Sequence, residues 1–250
     1  MPVEYNHAVD LRALNDNEVE AYHRDGYLVV ESLYDSDEIT RWKQDVEVAL
    51  GDERIPESGV RIWMCDAMPA TLLSRMTAPG IVTKLRQLIG DHVEFLSAKA
   101  VLKDRRITFA SPWHLDWYYW YGAPKISIWI ALDDARPENG CLRMIPGSHL
   151  VDFENRYDER EDSFNNHIDD AQLAGMSDRT LSVQRGDVVF FSDRTAHSSH
   201  LNTSGKDRFS FISTYRDASV VDDSKVWNTA LVVSGQSTNV PQARRAKCRP

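Results

Sequence analysis

The spacing of apolar residues changes near residue 93. Before it, helical spacing dominates. Ile39, Trp42, Val46 and Leu50 fall on one face of a helix over roughly 37–50, with Ser36 as its N-cap. Residues 16–25 read as a capped helix closed by Gly26, and 27–30 as a short strand. A third helix is predicted over 79–90, with Pro79 tolerated in its first turn. Residues 51–75 are mixed and include a loop carrying Arg61, Trp63 and Asp66. From 93 onward, short β-rich runs follow one another: 93–103, 113–120, 125–132, 141–145, 180–184, 187–192 and 207–216. Turn chemistry separates several of them, as in Pro137-Glu-Asn-Gly140 and Arg185-Gly-Asp187. Many short strands with few helices between them predict a sandwich or barrel. The polar, acidic stretch 152–178 reads as an insertion between strands and a candidate active-site lid. Neither a repeat nor a Pro/Gly-rich linker interrupts the pattern, so residues 1–250 are read as one domain.

Composition narrows the function classes. With 42% hydrophobic residues the chain suits a globular core. The net charge of −9 leaves no basic field for nucleic acid or anionic lipid. No apolar run is long enough for a membrane span, and the N-terminus lacks a signal-peptide pattern. Three cysteines without C-x-x-C spacing do not make a disulfide framework. These features predict a cytoplasmic protein acting on a small molecule. The oligomeric state is not legible.

The candidate chemistry sits in Ser-Pro-Trp-His-Leu-Asp-Trp-Tyr, 111–118, and in Asp-Arg-Thr-Ala-His-Ser-Ser-His, 193–200. On a strand, His114 and Asp116 point to the same side. A third ligand 83 residues later, His197, would complete a 2-His-1-carboxylate face and leave the opposite face of the metal open, as in non-haem Fe(II) oxygenases. His200 competes with His197 for that role; it lies closer to Asn202 and the following turn, which favours His197. An isolated H-x-D pair is common without a metal. Arg208, eleven residues beyond His197, strengthens the reading, because a guanidinium can grip the far carboxylate of a dicarboxylate ligand.

In order, the motifs Asp-Gly-Tyr-Leu-Val-Val (25–30), Trp-His-Leu-Asp (113–116), Trp-Ile-Ala-Leu-Asp-Asp (129–134), Glu-Asn-Gly-Cys-Leu-Arg-Met-Ile-Pro-Gly-Ser-His (138–149), Gly-Asp-Val-Val-Phe-Phe (186–191) and His197-x-Ser199-x-x-Asn202 resemble the phytanoyl-CoA dioxygenase family. The resemblance covers roughly residues 15–216 and implies a mainly β fold: a double-stranded β-helix, or jelly-roll barrel, with flanking N-terminal helices. It further implies Fe(II), 2-oxoglutarate and O2 as cofactor and co-substrates. The implied reaction is hydroxylation of an unactivated C–H bond, with release of succinate and CO2. By resemblance His114, Asp116 and His197 are the iron ligands, and Arg208 binds the distal carboxylate of 2-oxoglutarate. Ser199 and Trp129 would line that site, and Lys99 would supply a polar contact. Asp116 fills the position that related halogenases leave small, which favours hydroxylation. For the substrate, alternation beyond Asp116 would send Tyr118 and Trp120 to the metal side, and Arg61 is a further candidate contact. Two other readings of the same residues are a non-redox metal-dependent β-barrel hydrolase or isomerase, and a binding barrel that has lost its chemistry.

Overall fold

A computed structural model of the protein describes residues 12–51, 58–159, 164–224 and 226–239. In chain order they form α1 (Asp16–Asp25), β1 (Tyr27–Val30), α2 (Ser36–Leu50), β2 (Val60–Met64), α3 (Ala70–Met76), α4 (Pro79–Ile89), β3 (Val93–Lys103), β4 (Lys125–Ala131), β5 (Leu142–Met144), β6 (Arg156–Tyr157), β7 (Asn166–His167), β8 (Arg179–Leu181), β9 (Val188–Ser192), β10 (His197–Ser199), β11 (Arg208–Asp217) and β12 (Leu231–Ser234). A large antiparallel sheet runs in the order β1-β9-β4-β11-β3-β12, with β2 also paired to β3. A smaller sheet runs β10-β5-β8, and β6 with β7 forms a separate ribbon.

Both faces of the large sheet are buried, for different reasons. Ile126, Ile128 and Ile130 of β4, Phe190 of β9 and Phe211 of β11 point outward, into one cluster with Ile39, Trp42 and Val46 of α2 and Leu85 of α4. The alternate residues, among them Trp129, Val189, Phe191 and Ile212, point inward and meet Met144 of β5, with Cys141 and Val183 beside it. Helices thus cover one face and the small sheet covers the other. This is why β9, Val-Val-Phe-Phe-Ser, reads as a continuous apolar run. Along β3 and β11 the inward face carries polar residues, Ser97, Lys99 and Lys103 on β3 and Arg208, Ser210 and Thr214 on β11, interspersed with Val101 and Ile212. No helix among the described residues is long and apolar enough to cross a membrane.

Local signals explain most element boundaries. Asn15 and Glu18 form a reciprocal capping box at the start of α1, and Gly26 ends the helix at φ 81°. The expected cap of α2 is displaced by one residue: Asp35, not Ser36, accepts from Glu38 N at 2.7 Å. Residues 58–75 are more ordered than expected, and 52–57 lie outside the described residues. The former contribute β2 and α3, because β3 offers a free edge along Ser97–Val101 that β2 can pair with. Residues 113–120 are not a strand. Only His114 bridges to a neighbour, His197, and Asp116–Tyr119 is a 3-10 turn whose Trp117 N donates to Asp193 O at 3.0 Å.

Gly186, in the turn before β9, has φ +95°, and a Cβ there would sit 2.3 Å from the Tyr34 carbonyl oxygen. Tyr34 N donates to the Gly186 carbonyl at 3.2 Å, so the two backbones cannot separate without losing that bond. Gly186→Ala is expected to destabilise the protein by roughly 2–4 kcal/mol, read as a lower urea midpoint at unchanged slope.

Candidate metal centre and co-substrate site

His114 and His197 are locked together as a cross-strand pair. His114 N donates to His197 O at 3.0 Å, and His197 N to His114 O at 3.1 Å. Their rings lie 4.2 Å apart between centroids. Each Nδ1 sits against a carbonyl, Pro112 O at 2.8 Å for His114 and Thr195 O at 2.9 Å for His197. A carbonyl can only accept, so each Nδ1 carries the proton and each Nε2 keeps a free lone pair. Both Nε2 atoms face Asp116 Oδ1, at 3.7 Å and 3.8 Å. Asp116 reaches this position because Leu115 is extended (φ −107°, ψ 132°), which keeps His114 and Asp116 on the same side. Donor atoms of the three residues all lie within 4.8 Å of one another, and all three residues are buried.

The electrostatics suit a cation. Burial lowers the His114 pKa to about 3, with His197 adding to the effect. Burial also holds the His197 pKa below its usual value. Both imidazoles are therefore neutral at pH 7. For Asp116 burial works upward, but Lys99, His197, His114 and a hydrogen bond from Ser127 outweigh it and the pKa is lowered. The carboxylate is ionised, and its Oδ2 is buried without a hydrogen-bond partner. An orphaned anionic oxygen beside two imidazole lone pairs is an N2O donor set of the kind that ferrous iron takes.

The three residues open onto a cavity of about 540 Å3 between the sheets. Arg208 lines the same cavity and is buried, with Nη1 donating to Ser210 Oγ at 2.7 Å and its Nε without a partner. The guanidinium carbon lies 5.7 Å from the Trp129 ring centroid. Lys103 stands opposite Arg208 in register, and its ammonium donates to Ser199 Oγ at 2.7 Å and His200 O at 2.6 Å. Burial, aided by Arg208, lowers the Lys103 pKa to about 6, and burial lowers that of Arg208 to about 10. Among the described residues no carboxylate approaches either side chain within 4.0 Å.

The expected site residues divide cleanly. His114, Asp116, His197, Arg208, Ser199, Trp129, Lys99 and Trp120 all line the same cavity. Tyr118 does not. The 3-10 turn ends the alternation at Asp116, so Tyr118 packs with Leu115, Ile145 and Ala196 and donates to Phe153 O at 3.0 Å. Tyr119 takes the expected place in the cavity wall. Arg61 is also misplaced by one residue. Val60, Ile62 and Met64 face the cavity from β2, which turns Arg61 and Trp63 to the other face. Lys103 was missed, although it is four residues from Lys99 on one strand and therefore shares its face. Of the insertion 152–178, Phe164 lines the cavity. His200 lies apart from the three donors, with Nε2 at 3.4 Å from Thr180 Oγ1.

Comparison with known proteins agrees with this geometry. The family model described as phytanoyl-CoA dioxygenase (PhyH) matches residues 22–210. Ectoine dioxygenase of Bordetella bronchiseptica is 27% identical over 234 residues, covering 81% of this chain and 75% of its own. L-proline trans-4-hydroxylase of Streptomyces griseoviridis is 29% identical over 224 residues, covering 78% and 83%. Among solved structures, the non-heme alpha ketoglutarate dependent carbocyclase SnoK from nogalamycin biosynthesis superposes with a TM-score of 0.66 at 26% identity, over 84% of this chain and 86% of that one. EctD from S. alaskensis superposes with a TM-score of 0.70 at 19% identity, covering 84% and 79%, a likeness of fold. The two facing sheets are the double-stranded β-helix, and the chain belongs to the phytanoyl-CoA dioxygenase family of iron- and 2-oxoglutarate-dependent oxygenases.

Proposed function

We propose that His114, Asp116 and His197 hold Fe(II), that Arg208 with Ser210 and Lys103 holds the distal carboxylate of 2-oxoglutarate, and that the enzyme hydroxylates a C–H bond of a small molecule bound against Tyr119 and Trp120. The observation that carries this reading is the Arg208 guanidinium: buried, without a carboxylate partner, and in the same cavity as the three donors. A non-redox hydrolase or isomerase built on the same donors gives that cation no role. A retired barrel gives none to the orphaned Asp116 Oδ2.

When bound, iron and 2-oxoglutarate supply the oxidising chemistry, and succinate and CO2 are released. The chain supplies position and dryness. Pro112 O and Thr195 O fix the two imidazole tautomers, so that both Nε2 lone pairs face inward. Arg208 and Lys103 orient the dicarboxylate from one side. Trp120, held by its Nε1 donating to Asp193 Oδ2 at 2.7 Å, walls off solvent on the other. The direct test is oxygen consumption matched by succinate release, requiring both ferrous iron and 2-oxoglutarate. Oxygen uptake without succinate, with either component omitted, contradicts the proposal.

Lys103 gives the co-substrate step a pH signature. In the free protein its pKa is about 6, so it is neutral at pH 8. An adjacent carboxylate raises that pKa, and binding must then take up a proton. The affinity for 2-oxoglutarate is expected to weaken as pH rises above about 6. Calorimetry in buffers of different ionisation enthalpy should show proton uptake approaching one per site at pH 8, and none in Lys103→Met.

A further inference from the structure

The cavity has basic side chains at two places, and only one set makes hydrogen bonds within the protein. Lys103 and Arg208 hold each other's neighbourhood together through Ser199, Ser210 and the His200 carbonyl. Lys99 stands apart. It lies opposite Ile212 in β11 and Ile62 in β2, and its charge acts on Asp116, His114 and His197. It therefore sits beside the three donors rather than at the Arg208 end. Among the described residues no acceptor lies within hydrogen-bond distance of its ammonium and no carboxylate within 4.0 Å, and the carboxylate its charge acts on, Asp116, belongs to the donor set.

The cavity wall is mostly apolar and rich in rings, with Ser97 and Thr214 as polar neighbours of Lys99 on the sheet. Ile62 and Met64 come from β2, Tyr119 and Trp120 from the turn after Asp116, and Phe164 and Trp227 from later segments. These rings are braced: Trp120 packs on Trp227 at 5.4 Å between centroids, and Phe164 meets the His114 ring edge-on at 5.2 Å. Among the described lining residues Asp116 is the only carboxylate, against the two cations Lys99 and Arg208 and the amine of Lys103, whose pKa burial lowers to about 6. A free amino acid needs an acceptor for its ammonium as well as a cation for its carboxylate. Here the only acidic acceptor belongs to the donor set. An anionic oxygen on an otherwise apolar, ring-shaped body answers both the wall and the spare cation.

We propose that the substrate is a ring compound bearing an ionised oxygen (a carboxylate, phenolate or enolate), and that Lys99 binds this oxygen and so sets which carbon faces the three donors. The proposal rests on the reading of the cavity given above, in which Arg208 and Lys103 are committed to 2-oxoglutarate.

Binding to protein loaded with Mn(II) and 2-oxoglutarate, in which no turnover occurs, tests it by calorimetry. The probes are 2-naphthoate, its neutral amide and L-proline. Wild-type protein is expected to bind 2-naphthoate at least about tenfold more tightly than 2-naphthamide, in keeping with one charge-assisted hydrogen bond in a dry site. L-proline should bind more weakly than 2-naphthoate. Lys99→Met should reduce the acid-over-amide preference to within about twofold, Lys99→Arg should retain it, and the Kd for 2-oxoglutarate should stay within about twofold of wild type in both. Equal binding of acid and amide by wild type, no saturable binding of the acid, a preference unchanged in Lys99→Met, or tighter binding of L-proline would each overturn the proposal. So would a weakened 2-oxoglutarate Kd in Lys99→Met, which would make Lys99 a co-substrate contact. If the wild-type metal-loaded protein fails to bind 2-oxoglutarate at all, the underlying site assignment fails instead.

Discussion

Asp116→Ala is expected to lose turnover by on the order of 10³-fold or more and to lose its iron on gel filtration, with the fold intact. Loss of an outer partner of a metal ligand already costs about 10–100-fold, and Asp116 is one of three direct donors in the proposed centre. In the free protein burial of its unpartnered Oδ2 offsets much of what Lys99, the two imidazoles and Ser127 contribute to the ionised carboxylate, so its net contribution to the stability of that state is modest. The metal-free variant should therefore unfold within about 1 kcal/mol of wild type. A drop of several kcal/mol would assign Asp116 a structural role. Retained iron and turnover would remove it from the centre.

Arg208→Met is expected to raise the KM for 2-oxoglutarate on the order of 10²-fold, the usual scale for truncating one partner of a buried charge pair. Iron retention should not change. Arg208→Lys should recover only part of the loss, because a point charge cannot make the paired contacts of a guanidinium. In the absence of ligand the sign for stability is the reverse. Burial depresses the Arg208 pKa to about 10, and its Nε is unpartnered, so the free protein carries a desolvated cation. Methionine at this position should leave the free protein as stable as wild type or more so. A change that weakens binding while sparing the fold marks a group held in place for its ligand.

The parts of this molecule that were legible in the sequence are those decided by local chemistry. Asn15, Glu18 and Gly26 bound α1 by caps alone. The alternation in Lys-Ile-Ser-Ile-Trp-Ile-Ala specifies β4 and sends Trp129 inward, because one face needs helices and the other a second sheet. Conversely, the segment after Asp116 was misread as a strand, since its aromatic run has strand character while its turn is set by Asp193, far along the chain. Two site residues failed for different reasons. The 3-10 turn breaks the alternation after Asp116, so Tyr119 rather than Tyr118 faces the cavity. Arg61 lies on β2, where period two sends Val60, Ile62 and Met64 to the cavity and Arg61 to the other face. Family resemblance supplies the donors and the arginine, but not the phase of a turn or of an edge strand. Those depend on which neighbouring strand offers free backbone groups.

The central claim is that the three donors, which would hold Fe(II), and Arg208, which would bind the distal carboxylate of 2-oxoglutarate, form one composite site. Calorimetric titration of 2-oxoglutarate into metal-free and Mn(II)-loaded protein tests this most directly. The expected result is one site per chain that requires the metal and is lost in both Asp116→Ala and Arg208→Met. Binding of equal strength with and without metal, or binding that survives both substitutions, would contradict it.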